Sequence, residues 1–224
     1  MISRQIDSPA AMLQVIREFR LIPFFVNPVA DWSIEEHTAP GCWFTDDILG
    51  PWDWKIDCVQ SGDVVYGKYL WGGKAAFATP DVYKEIINWR RSLPKYKPTA
   101  EQTKVLDYMH ENGSVSVAEV RRLLGVKKSA ADALLSKLQM QTRVVTGDIT
   151  RVYRGSDLHY SGWQRSSFCA PEALFEDLDF PFPGYRSVSL KSSLTPARSF
   201  DFLKQTVRNI CGDVPDNLML KILG

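Results

Sequence analysis

SVAEVRRLLGVKKSAADALLSKLQMQTRVV, residues 116–145, breaks at an internal glycine and changes period near its end, and these two features set the architecture. Ser116 and Glu119 have capping-box spacing, in which each side chain accepts from the other residue's backbone N–H. A short helix therefore starts there and ends at Gly125. A further helix starts near Ser129, where Ser129 and Asp132 repeat the cap spacing, and it turns Leu134, Leu135 and Leu138 inward. At Gln139 the character changes: two glutamines flank Met140, and a basic, β-branched segment follows.

Upstream, Thr99 precedes a helix over about 100–111 with a Val105, Leu106 and Met109 stripe, and Asn112-Gly113 supplies its left-handed stop. Downstream, residues 143–154 alternate as a strand, GSDLHYSG (155–162) reads as a loop, and residues 163–169 form the return strand. Three helices joined by tight glycine turns and followed by a β-ribbon form a winged-helix pattern.

The flanks differ in composition. Met12, Val15, Ile16 and Phe19 fall at helical spacing after Ser8-Pro9, and Pro23 stops that helix. Residues 24–80 are rich in Pro, Gly and aromatics and hold five of the seven tryptophans, with a hairpin expected over 64–71 and 74–79 around Gly72-Gly73. A helix over about 81–91 follows, then SLPKYKPT (92–99), whose two prolines mark a boundary. Pro171 opens a short helix and Thr195-Pro196 a final one to about residue 210. The fold class is α+β: a winged helix-turn-helix domain (95–175), a small aromatic-rich α/β module packed against it (1–94), and a C-terminal extension (176–224).

Charge is nearly balanced, 27 Lys+Arg against 26 Asp+Glu, so the chain as a whole advertises neither nucleic acid nor membrane. The balance conceals a partition, because residues 95–170 carry 12 basic and 7 acidic residues while both flanks lean acidic. No apolar run reaches the roughly 18 residues of a membrane span. Cys42, Cys58, Cys169 and Cys211 lie far apart, and the first residues lack a secretory pattern, so a reduced, cytoplasmic setting is expected. No cysteine and histidine have zinc-ligand spacing, and no glycine-rich nucleotide motif or nucleophile elbow occurs; neither metal nor cofactor is expected.

A helix that reads duplex DNA needs polar and basic side chains opposite its apolar stripe, to reach phosphates and base edges while the other face packs at home. Lys127, Lys128, Ser129, Asp132, Ser136 and Lys137 supply that face, and Arg143, Arg151, Arg154 and Arg165 would flank the duplex from the wing, all converging on one surface. The same charges also suit a solvated face on a module that binds another protein or a second copy of itself. Gln139 and Gln141 would share one side by strand alternation, reading adenine, fixing a water, or satisfying local backbone groups. WFTDDILGPWDWK joins Asp46 and Asp47 to Trp52, Trp54 and Lys55 across a Gly-Pro turn, either to sandwich a base or sugar or to form an aromatic core. Glu35-Glu36-His37 reads as a surface loop.

The succession LIPFF, WSIEEHT, WF, GPWDWK, YGK, LQMQTRVVTGD and PEALF, over about residues 10–175, resembles a bacterial group named for its relation to the AlkZ (YcaQ-like) winged-helix DNA glycosylases. The resemblance implies winged-helix units and a role in handling alkylated DNA. Those enzymes carry a Gln-x-Gln or Gln-x-Asp motif that fixes water and stabilises positive charge on the sugar. Gln139-Met140-Gln141 has the letters, as does Gln5-Ile6-Asp7, and the resemblance implies a catalytic role for Gln139 and Gln141.

Overall fold

The computed structural model describes residues 5–45, 47–176 and 187–224, and Asp46 and the FPFPG segment (180–184) fall outside them. Over the described residues the chain is α+β, with two three-stranded antiparallel sheets. In order the first elements are α1 (Pro9–Phe19), β1 (Leu21–Pro23), α2 (Ile34–His37), α3 (Pro51–Gln60), β2 (Val65–Leu70), β3 (Lys74–Ala78) and α4 (Pro80–Arg91). Then come α5 (Ala100–Asn112), β4 (Val115–Ser116), α6 (Val117–Leu124), α7 (Lys128–Met140), β5 (Val145–Arg154) and β6 (His159–Cys169). The last are α8 (Pro171–Phe175), α9 (Pro196–Cys211) and α10 (Asp216–Leu223).

Local signals placed most boundaries. Ser8 caps α1 by accepting from the Ala11 amide, both capping boxes (Thr99 with Gln102, Ser116 with Glu119) form, and Gly113 and Gly125 take positive φ where α5 and α6 end. Five expectations are corrected. The helix opened by Thr195-Pro196 is not the last, because α10 follows it, with Pro215 leading into its first residue, Asp216. WDWK lies in helix α3, because Pro51 occupies the first helical position, where its missing N–H costs nothing. Glu35-Glu36-His37 is helical as well, with Ser33 accepting from the Glu36 amide. At α7 the cap position is Lys127, whose carbonyl accepts from Ala130 and Ala131, so Ser129 lies inside the helix and caps nothing. The return strand begins at His159 rather than 163, because Tyr160 and His159 pair with Tyr153 and Arg154.

The first sheet runs β1-β3-β2 and the second β4-β6-β5. Two cores result. One gathers Val105, Met109, Val115, Val120, Ala131, Leu135, Leu138, Val144 and Phe168 between α5, α6, α7 and the second sheet. The other joins the aromatic module to C-terminal residues such as Leu203, Val207, Met219 and Ile222, with Trp89 of α4 stacked on Phe200 of α9 at 4.6 Å. Arg90, 0% exposed, ties the two together: it donates to the Leu223 carbonyl in α10 and to the Met140 carbonyl at the end of α7. A guanidinium suits those places, since the last carbonyls of a helix have no partner of their own. Among the described residues no helix is long and apolar enough to cross a membrane, and no group of three or more His, Cys, Asp or Glu could hold a metal ion.

Candidate nucleic-acid interface

Helix α7 has the two-faced character the sequence called for. Ala131, Leu135 and Leu138 are buried in the second core, whereas Lys127, Lys128, Ser129 and Lys137 are exposed, and Asp132 and Ser136 lie at the margin. Its N-terminus carries no side-chain cap, so its first amides point outward beside two lysines.

The β-ribbon departs from expectation, because its arginines do not converge. Arg151 turns inward onto α3, donating Nε–H to Asp53 Oδ1 and Nη2–H to Asp53 Oδ2, each at 2.9 Å, with Asp57 3.5 Å away. Arg143 sits half-buried at the ribbon's base, where burial and the neighbouring Arg91 guanidinium lower its proton affinity. Arg154 covers the Trp163 ring at 4.5 Å, and Arg165 is exposed on the strand face opposite Arg151. Arg143 precedes β5, and because side chains alternate along a strand, Arg151, Arg154 and Arg165 on two strands could share one face only if their spacing and register matched throughout.

What holds the ribbon is a polar clamp absent from the sequence reading. The Trp52 indole donates to the Gly162 carbonyl (3.1 Å), Tyr160 donates its hydroxyl to Asp53 (2.8 Å), and the Gln164 amide donates to the Trp52 carbonyl and to Tyr160 (3.0 Å each). Lys55, 3% exposed, donates to the Gln164 side-chain oxygen and the Trp52 carbonyl, with its ammonium 3.6 Å from the Trp52 ring centroid. Burial pushes the Lys55 pKa down to about 7, only partly offset by Asp53. For Asp53 burial acts upward, yet hydrogen bonds from Arg151 and Tyr160 and the nearby cations hold it below the usual carboxylate value. The Trp52, Trp54 and Lys55 cluster is therefore neither an open sandwich for a base nor an aromatic core alone. Trp54 packs on the core and Trp52 with Lys55 seats the ribbon. A signal lay in the sequence, since an acid, an aromatic and a lysine within one helical turn can present a polar edge to a neighbour.

The glutamines of the 139–141 junction part company. Both lie at helical rather than strand spacing, so the two side chains diverge instead of sharing a side. Gln139 faces the first sheet: its Oε1 accepts from the Lys68 amide at 2.8 Å and its amide donates to the Leu135 carbonyl. Gln141 faces the other way, donating to Gln102 Oε1 (3.0 Å) and to the Lys97 carbonyl. Each seats α7 against a different neighbour, and the cleft beside α7 is lined by Gln141 but not by Gln139. Gln5-Ile6-Asp7 is tied down by its middle residue: buried Ile6 exchanges backbone hydrogen bonds with His37 and Ala39.

Beside α7 lies an open cleft of about 670 Å³. One wall is α7 itself (Ala130, Ala133, Leu134, Lys137), and the other is the proline-bounded linker with Lys95, Tyr96 and Lys97.

Comparison with known proteins agrees with the resemblance and widens it. The family model described as AlkZ related matches residues 6–224, beyond the 10–175 that the motifs covered. No curated protein matches. Among solved structures the chain is similar to the Streptomyces sahachiroi DNA glycosylase AlkZ, at 12% identity and a TM-score of 0.43; the match covers 97% of this chain and 59% of that one.

Proposed function

The chain belongs to the AlkZ-related family, and from that premise we propose that it is a winged-helix protein that binds duplex DNA through α7. The element order α5-β4-α6-α7-β5-β6, with β6 between β4 and β5, supports the winged-helix reading, in which the last of three helices enters the major groove. The observation that carries the binding reading is the exposed row Lys127, Lys128, Ser129 and Lys137, set opposite a stripe that is fully inside the core. Such a helix can approach phosphates and base edges without giving up its own packing.

Fluorescence anisotropy with a labelled duplex at low salt tests this. Binding is expected, weakened by Lys127→Glu, Lys128→Glu and Lys137→Glu together. Absence of binding, or binding indifferent to the triple change, overturns it. Family membership directs the first comparison to alkylated against unmodified duplex, because fold alone does not fix chemistry.

A protein-binding module is the second reading, favoured by apolar side chains left in solvent: Phe44 is 61% exposed, Phe25 42% and Val26 57%. A dimer in light scattering, together with no affinity for DNA, would support it over the first.

A further inference from the structure

We propose that the cleft between the linker and α7 is a phosphate track, in which Lys95 and Lys97 of the linker join Lys137 of α7 to hold the backbone of the strand flanking that helix. The inference rests on the DNA-binding reading and changes where its electrostatic contacts come from.

Phosphate contacts position a protein on duplex DNA, and they must come from cations that are not already neutralised. On the ribbon that supply is reduced, because Arg151 is held bidentate by Asp53 with Asp57 beside it, and Arg143 is half-buried at the ribbon's base next to Arg91 and Glu172. The linker offers what the ribbon does not. Lys95, Lys97 and Lys137 are all exposed and line one cleft, where the opposing charge is Glu101. Among the described residues no Asp or Glu forms a salt bridge with any of the three; Lys95 is engaged with the Gly224 oxygen, which the Tyr96 hydroxyl shares, and lies over the Tyr96 ring, so the track rests chiefly on Lys97 and Lys137.

The walls suit a sugar-phosphate strand. Ala130 and Ala133 line the α7 side, and their short side chains let a backbone come close, while Leu124, Val126 and Leu134 give the floor an apolar surface for deoxyribose faces. The linker is itself fixed: Gln141 donates to the Lys97 carbonyl, Tyr96 is buried with its hydroxyl on Gly224, and Pro94 and Pro98 limit the backbone. Its lysines are thus presented from a set position beside α7, as a point-charge phosphate contact requires.

The test is the salt dependence of affinity for a labelled duplex of arbitrary sequence, measured between about 50 and 200 mM salt. For Lys97→Ala and for Lys95→Ala/Lys97→Ala the slope of log affinity against log salt should flatten by about 0.9 for each contact removed. Lys97→Arg should restore it, and Arg151→Ala should leave it unchanged. The exposed lysine substitutions should preserve the thermal midpoint, and Arg151→Ala, which breaks the ion pair with Asp53, is assayed well below its own lowered midpoint. Failure of the unmodified chain to bind removes the DNA-binding reading and this inference with it. Binding by the unmodified chain with an unaltered slope in the linker variants removes this inference alone, and so does a loss of slope confined to Arg151→Ala. If an acidic peptide competes with the duplex for the cleft while the linker variants keep the full salt slope, the cleft is a protein-docking groove and the phosphate track is excluded.

Discussion

Arg151 and Asp53 form a two-pronged ion pair across 98 residues of sequence, with both N···O distances at 2.9 Å, and it joins the β-ribbon to α3 of the tryptophan-rich region. The guanidinium fork matches the carboxylate geometry, and both side chains are about three-quarters shielded from solvent, so the pair is stronger than an exposed one. Asp53→Asn should lower unfolding free energy by about 1–2 kcal/mol. The pH dependence follows from the lowered Asp53 pKa: the unfolded carboxyl takes its proton first, at about 3.9. The stabilisation is therefore full above that value and is lost as pH falls through the lower folded-state value. Acid unfolding of Asp53→Asn should begin from a lower baseline and show a shallower decline below about pH 4. Identical acid limbs in the two proteins would contradict the assignment.

That pair also shows where sequence stops being informative. The capping boxes at Thr99 and Ser116 and the glycines at 113 and 125 act over a few residues, so their partners sit in the same short window and could be read directly. The outward row on α7 was legible for the same reason. Arg151 carried no local mark of its partner, because Asp53 lies 98 residues away in sequence, and a basic residue on a β-ribbon looks the same whether it faces solvent or α3. Pro51 misled in a related way: proline after glycine reads as a turn, yet proline at a helix start is equally natural. Thr195-Pro196 announced the start of α9 but not that Leu203 and Val207 would complete the core of the N-terminal module.

Lys55 predicts a second pH effect of the same direction but of opposite origin, a buried charge that costs stability. Its ammonium is buried, and its proton is released near pH 7 in the folded chain against about 10.4 when unfolded. Between those values the unfolded chain holds more protons, so stability should rise with pH, and the penalty for burying the charge should be complete below about 7. At about 1.4 kcal/mol per unit the total is of the order of a few kcal/mol. Urea unfolding at pH 6.5, 8 and 9.5 should show that gain in the unmodified protein and a nearly flat response in Lys55→Met. A gain of equal size in both would exclude Lys55 as its source.

Ser116 should prove the most sensitive cap. Its hydroxyl accepts from the Glu119 amide and donates to the Glu119 carboxylate, while its own amide donates to the same carboxylate at 2.7 Å. These bonds hold Glu119 below its ordinary pKa. Ser116→Ala should cost about 1 kcal/mol in unfolding free energy, and Ser116→Thr should retain most of it. Equal loss for Ala and Thr would point to packing rather than capping.

Gln139 should matter for assembly of the fold rather than for chemistry. Its Oε1 accepts the Lys68 amide, and a Cβ added at Gly67 would lie 2.9 Å from that oxygen and 3.2 Å from the Tyr69 ring. Both positions therefore act on one contact, the seat of α7 on β2. Gln139→Ala leaves the Lys68 N–H without its acceptor and should cost about 1–3 kcal/mol. Gly67→Ala pushes the amide off the same donor and should cost a similar amount. In the double variant the oxygen is already gone, so much of the Gly67→Ala penalty disappears and the two changes should add to less than their sum. Strict additivity would mean that Gly67 is constrained by Tyr69 alone. If Gln139→Ala instead kept full stability while abolishing release of an alkylated base from duplex DNA, its amide would belong to a reaction site rather than to the joint between α7 and β2.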